Sequence, residues 1–381
     1  MPASAATPLV PVLDPGIAAA ARLQPVAVID LAAIRDNFRV LDAASGQATC
    51  AAMVKGDGYG LGMLAVANEA WAAGARLFFV ARVHDGLDLR KAMPKANIAV
   101  LDGLSGYLPE VFEAASLTPV LGAPTEVRAW CSARRRMPYI VHIDTAMNRL
   151  GLKLDELASL VPLLTGSSHE IAAYLTHFAS ADEGDRTLCA LQVQRFRSAV
   201  AGLPTAPLSI VNSSGLFLDS AWRADITRPG KALYGIEPQQ PGAPSPVRQA
   251  LTVLAPILQV GEVAAGDSIG YSATFRAKKP MRIATLGVGY ANGYLRALSN
   301  RGVAAFAGIR APVVGRVSMD LVTVDVSDLP DAAFGDGYAE LTGPTIGLTE
   351  LSRLAISNEY ELQIALGRGV KRIYTGATKP D

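Results

Sequence analysis

From residue 48 to residue 235 the chain repeats one local pattern, a short apolar run rich in β-formers followed by a longer stretch with apolar residues at helical spacing. The strand-like runs are 48–55, 76–82, 97–103, 117–122, 139–144, 170–179, 208–214 and 225–235. Helical stretches lie near 62–74, 83–94, 107–115, 124–136, 155–165, 184–202 and 215–222, and an opening helix at 32–44 follows the run Val26-Ala27-Val28-Ile29-Asp30. Strands buried on both faces read as continuous apolar runs, and a regular alternation of strand and helix makes a parallel sheet. Eight such units in roughly 200 residues predict an α/β protein with a (β/α)8 TIM-type barrel; a doubly wound sheet is the alternative.

The rhythm stops at Pro238-Gln239-Gln240-Pro241-Gly242-Ala243-Pro244-Ser245-Pro246, where four prolines in nine residues suit an exposed linker. Beyond it come closely spaced strand candidates, among them 251–254, 282–286, 313–317 and 321–326, with few helical stretches between them. The expected organisation is therefore an N-terminal extension (1–25), a barrel (26–240) and a β-rich C-terminal domain (241–381). A net charge of +1 in 381 residues points to neither nucleic acid nor a membrane surface as partner. Cys50, Cys131 and Cys189 are odd in number and widely spaced, so they suggest no disulfide framework and no metal site. Met1 to Leu23 has no positive segment ahead of its apolar residues and does not read as a secretion signal, so a reducing, cytoplasmic location is expected.

In parallel barrels chemistry gathers at the C-terminal strand ends. Lys55 stands there, directly after the run 49–54 and ahead of Gly56-Asp57-Gly58-Tyr59-Gly60-Leu61-Gly62. A partly desolvated lysine loses pKa and becomes a competent nucleophile or base; otherwise it is a lysine reaching out of a turn. Arg149, His177, Ser213 and Arg228 lie at four further strand ends, and together they would form a cationic, donor-rich mouth suited to a small anion. Taken singly, His177 reads more readily as a core histidine, Asp182-Glu183 with Asp185 as a helix-capping turn, and Arg134-Arg135-Arg136 as a solvated face. The glycines after Lys55 fit neither the dinucleotide fingerprint nor the P-loop.

The segment Val54-Lys55-Gly56-Asp57-Gly58-Tyr59-Gly60-Leu61-Gly62 resembles the pyridoxal-phosphate lysine signature of alanine racemases. The likeness continues in order through 144–151, 176–182, Asn212-Ser213-Ser214, 228–235, 270–275, 289–294 and 315–320. It implies a barrel binding pyridoxal 5'-phosphate, followed by a β domain, in a homodimer that acts on an amino acid. By the resemblance Lys55 holds the cofactor as an internal aldimine and then serves as base on one face of Cα, while Tyr271 and Met319 come from the partner subunit, Tyr271 as the opposite base. Racemisation needs a base on each face. Arg228 would face the pyridine nitrogen and His177 the ring. Tyr59, Asn212, Ser213, Gly230, Lys231 and Tyr360 would belong to the cofactor site, Arg149 and Met319 would flank the substrate carboxylate, and Asp182, Tyr290, Arg296 and Arg316 would form the entrance. Tyrosine has a reference pKa of about 10, so Tyr271 needs help to act as a base.

Two departures stand out. Seven residues before Arg149, where many members of the family carry a carbamylated lysine that orients the arginine, this chain has His142. Gly56-Asp57-Gly58 and Leu61 replace the Ala-Asn-Ala and His of many relatives. Three rivals were weighed. A two-domain decarboxylase lacks its glycine-rich and cysteine motifs here, and a barrel-only cofactor carrier lacks a β domain. A racemase of broader specificity remains open. The expected reaction is the interconversion of L- and D-alanine, supplying D-alanine for peptidoglycan.

Overall fold

The computed structural model describes residues 23–133, 137–238 and 245–378, in two units. Residues 33–58 and 62–248 make one; residues up to 32, 59–61 and those from 249 onward make the other. Arg134-Arg135-Arg136, most of the proline-rich linker and most of the N-terminal extension lie outside the described residues.

The first unit holds a parallel sheet of nine short segments. Its path runs from Thr49–Cys50 through Ile226–Thr227, Leu208–Ser209, Ile171–Leu175, Tyr139–His142, Thr118–Leu121, Asn97–Val100 and Leu77–Val80 to Ala52–Met53. Only Ala51 separates the first segment from the last, and its N–H reaches Thr227 O at 2.9 Å, so the sheet closes on itself. All eight expected strand regions therefore contain strands of one TIM-type barrel. Segments such as Leu77-Phe78-Phe79-Val80 are apolar throughout because helices cover them outside and side chains fill them inside. The expected helices form as well, from Leu31–Ser45 to Ser213–Leu218.

The second unit holds an eight-stranded sheet built on Leu251–Val263. This long strand pairs antiparallel with Val26–Asp30, Tyr338–Thr342 and Met281–Leu286 along its length. Val26–Asp30, expected with the barrel, thus belongs to the other sheet, where it also runs parallel to Lys371–Thr375. The run Val26-Ala27-Val28-Ile29-Asp30 carries a strand signal but no information about its partner, which is set by pairing more than 200 residues away in the chain. One further expectation needs correction. Val313–Val317 is not a strand but contributes a single bridge, Val313 to Val324, while the hairpin lies just before it at Val303–Phe306 and Ile309–Pro312. The unit also carries two helices, Leu348–Leu354 and Glu359–Gly369.

Candidate active site

Lys55 follows the barrel segment Ala52–Met53 and opens a turn with unusual backbone. Gly56 (φ 65, ψ 34), Asp57 (φ 59, ψ 49) and Gly58 (φ 61, ψ 46) are all left-handed, and Tyr59 follows at φ 50. Left-handed helix costs an ordinary residue roughly 1–2 kcal/mol, which glycine escapes and aspartate tolerates better than most. The Gly-Asp-Gly triplet therefore matches the turn it must make. Asp57 Oδ1 also accepts the Met63 N–H at 2.9 Å, joining the turn to the start of the helix Met63–Ala72. Lys55 is half-buried. Desolvation first, then the Arg149 guanidinium, pull its pKa below the usual lysine value; Asp102 opposes them and Arg228 adds a weaker push in the same direction.

Arg228 follows the segment Ile226–Thr227 and is 3% exposed. Its guanidinium donates to Ser209 Oγ and Thr176 O (2.6 Å) and lies 3.5 Å from His177 Nδ1. Burial lowers its pKa to about 9, which leaves it cationic at neutral pH. Among the described residues its hydrogen-bond partners are carbonyls, a hydroxyl and an imidazole, with no carboxylate among them. His177 is kept neutral by burial and by Arg228, Lys55 and Arg149, which hold its pKa well below the usual value. A neutral ring facing an arginine through Nδ1 must carry its proton on Nε2.

The neighbouring strand ends supply hydroxyl and backbone donors. Asn212 Oδ1 accepts the Gly215 N–H at 2.9 Å and so caps the helix Ser213–Leu218. Buried Ser213 Oγ accepts the N–H groups of Gly230 (2.8 Å) and Ala232 (3.2 Å), which leaves its own proton free to be given to an anion. Lys231 Nζ turns to Asp182 Oδ1 at 3.1 Å, an oxygen that also accepts from Ser214 Oγ at 2.6 Å. Asp182 is thus tied to the Lys231 turn, while Asp185 caps the helix Arg186–Val200 through Leu188 N–H.

Arg149 is exposed on the turn 144–151, which begins at buried Asp144 and Thr145, and Asp144 organises that turn. The Asp144 carboxylate accepts the N–H groups of Ala146 (3.0 Å), Met147 (2.9 Å) and Asn148 (2.9 Å) together with Lys153 Nζ. Gly151, at φ 111, closes the turn where a Cβ would lie 2.8 Å from Asp144 N and 3.1 Å from the His142 ring. His142 itself is neutral: burial, then Arg228 and more weakly Arg149, outweigh Asp144 and bring its pKa to about 4. Sequence reading quoted Asp144 only as part of a motif and passed over Lys153. Their sign was the acid–base pair bracketing the arginine.

The pair makes a pH prediction. Burial alone would raise the Asp144 pKa, but the bonds from Lys153, Asn148 and Ala146 win and hold it below the ordinary carboxylate value. Its stabilisation is then fully present above the ordinary Asp value of about 4 and is lost as pH falls through the lower folded value. Asp144→Asn should cost about 1.5–3 kcal/mol in urea unfolding at pH 7. At acid pH, where Asp144 of the parent is itself protonated, that difference should shrink; a difference constant with pH would refute the assignment.

The remaining expected residues lie in the second unit. Tyr59 and Tyr360 rings stand 6.0 Å apart, and the Tyr59 carbonyl accepts Gln363 Nε2 at 3.2 Å. Tyr271 sits at the tip of the hairpin Ser268–Ile269/Phe275–Arg276 and is 71% exposed. It lines a cavity of about 380 Å³ with Gly270, Thr285, Arg316, Ser318, Leu321 and Thr323, while Arg296 and Arg316 share a second, of about 260 Å³, with Thr274, Ser299 and Asn300. Tyr290 and Ala291 N–H bond Ser318 O (3.1 Å) and Met319 O (3.0 Å), which brings Tyr290 and Met319 together. Tyr290 and Met319 are themselves 44% and 55% exposed, so this unit presents a surface rich in large apolar and aromatic side chains.

Comparison with known proteins accords with this geometry. A family model described as alanine racemase, N-terminal domain, matches residues 29–238, and one described as alanine racemase, C-terminal domain, matches residues 250–374. An alanine racemase of Acidiphilium cryptum is 42% identical over 92% of this chain and 98% of its own length. One from Rhizobium meliloti is 38% identical over 91% and 96%. The crystal structure of alanine racemase from Bartonella henselae with covalently bound pyridoxal phosphate superposes with a TM-score of 0.86 at 33% identity, covering 92% of this chain and 99% of that one.

Proposed function

The chain belongs to the alanine racemase family, and we propose that it interconverts L- and D-alanine with pyridoxal 5'-phosphate, using Lys55 and Tyr271 as its two bases. The observation that carries the reading is the barrel mouth itself, where half-buried Lys55 is set among Arg149 and Arg228 with its pKa lowered by both. Buried Arg228 without a carboxylate partner and Ser213 with an undirected proton make a donor set that an anionic cofactor fits.

Pyridoxal phosphate held by Lys55 supplies the electron sink that makes the Cα–H of an amino acid acidic. Lys55, its pKa lowered by burial and by its cationic neighbours, would move the proton on one face of Cα. Tyr271 Oη moves it on the other. With the cofactor bound, the fixed positive charge of Arg228 would disfavour protonation of the ring nitrogen, and neutral His177 lies beside that guanidinium. Ser213, Asn212 and the Gly230-Lys231 turn would hold the phosphate at the barrel mouth, and Arg149 would take the substrate carboxylate together with Met319 of a partner subunit. Tyr290, Arg296 and Arg316 would line the approach from the second unit.

The protein works as a homodimer in the cytoplasm, with Tyr271 and Met319 given across the interface, and it supplies D-alanine for cell-wall synthesis. The wide exposure of Tyr271, Met319, Tyr290 and Leu321 on one unit supports a partner surface there. Sedimentation of the purified protein should give twice the chain mass. A monomer with full activity would remove the cross-subunit role of Tyr271.

A further inference from the structure

The polar side chain of Gln192 belongs to an outer barrel helix, Arg186–Val200, yet it is 0% exposed. Its Oε1 accepts the Ala179 N–H at 2.9 Å, and its Nε2 donates to His177 O at 3.0 Å and to Thr145 Oγ1 at 3.1 Å. Turning the amide over would set like groups against each other at Ala179 and at His177, so the orientation is fixed. Thr145 Oγ1 lies 2.8 Å from Thr176 Oγ1, and the Thr176 carbonyl accepts Arg228. One turn along the same helix face, Arg195 Nη1 holds Thr145 O at 3.0 Å.

Two strand-end loops are thereby tied to a single helix. One is the turn that carries Arg149, entered through Thr145; the other is the segment 176–179 that carries His177. We propose that Gln192 is a positioning residue that sets the carboxylate-binding turn and the cofactor-ring segment in register. The inference rests on the racemase reading of the site. Gln192 touches neither substrate nor cofactor in this scheme and acts through the groups it fixes. A fully satisfied buried amide specifies geometry in a way an apolar side chain of equal size cannot. Misplacing a substrate-orienting group by about 1 Å costs up to roughly 10²-fold in rate.

The test uses the full-length holoenzyme and three variants. Gln192→Met keeps length and removes every bond of the amide. Thr145→Val removes only the Thr145 side of the network, and Thr145→Ser keeps the hydroxyl. Three quantities are read: KM and kcat for L-alanine, half-saturation for pyridoxal phosphate by absorbance titration, and apoenzyme Tm. In Gln192→Met, both KM and cofactor half-saturation should rise by about 10-fold, with kcat changed less than KM. Thr145→Val should reproduce the KM rise with a smaller change in cofactor binding, and Thr145→Ser should behave as the parent. Parental KM and cofactor affinity in Gln192→Met and Thr145→Val would overturn the proposal, as would Thr145→Ser matching Thr145→Val. Should Gln192→Met not fold, the two Thr145 variants decide the matter alone. A parent protein with neither cofactor band nor racemisation would instead overturn the functional reading beneath it.

Discussion

Lys55→Ala should abolish racemisation, by about 10⁴-fold or more, and should abolish the absorbance band of covalently held cofactor. Two roles vanish together, because the same nitrogen anchors the cofactor and serves as a base. The sign of its pKa shift adds a second expectation. The folded-state pKa lies below the ordinary lysine value, chiefly through burial and then through Arg149. At neutral pH folding therefore works against this ammonium, and removing it relieves that opposition. The apoprotein of the variant should melt no lower than the apoprotein of the parent, which separates lost chemistry from lost fold. A variant that keeps the band and the activity would end the assignment of Lys55.

Tyr271→Phe should lower racemisation in both directions by about 10²–10⁴-fold while leaving the cofactor band unchanged. Only Oη is removed, from a side chain 71% exposed at a hairpin tip, so stability should stay within about 0.5 kcal/mol of the parent. The two-base scheme makes a sharper statement in D2O. Lys55 can still exchange the Cα proton of the enantiomer that presents it to Lys55, so one enantiomer should take up deuterium without inversion. Unimpaired racemisation, or equal loss of exchange from both enantiomers with Lys55 intact, would remove Tyr271 from its role.

Much of this protein could be read before its fold was known, for identifiable reasons. Barrel strands announce themselves because most are short, largely apolar runs followed by a helical stretch, a local signal. Lys55, Arg149, His177, Ser213 and Arg228 were legible because a parallel barrel sends the residue after every strand to the same end. Val26–Asp30 was misplaced because partner choice is non-local. A strand signal says nothing of which sheet receives it. Left-handed Gly56-Asp57-Gly58 was seen as a permissive stretch, though its handedness emerges only from the backbone.

The residues that were missed share a cause. Gln192, Thr145 and Thr176 are ordinary polar residues in sequence, and their value comes from distances of about 3 Å between elements up to 47 positions apart. At the position where the family resemblance implies a modified lysine, neutral His142 packs against Gly151, and Asp144 with Lys153 organises the turn of Arg149. That replacement could be noticed from sequence but not interpreted, since the four donors on Asp144 are a property of the folded turn.

The most direct measurement is a racemisation assay of the purified holoenzyme over a panel of L-amino acids, following each D-enantiomer by chiral separation. D-alanine should form fastest and should approach equal amounts with L-alanine from either starting enantiomer. A holoenzyme that makes no D-alanine, or that turns over another amino acid far faster, would contradict the account.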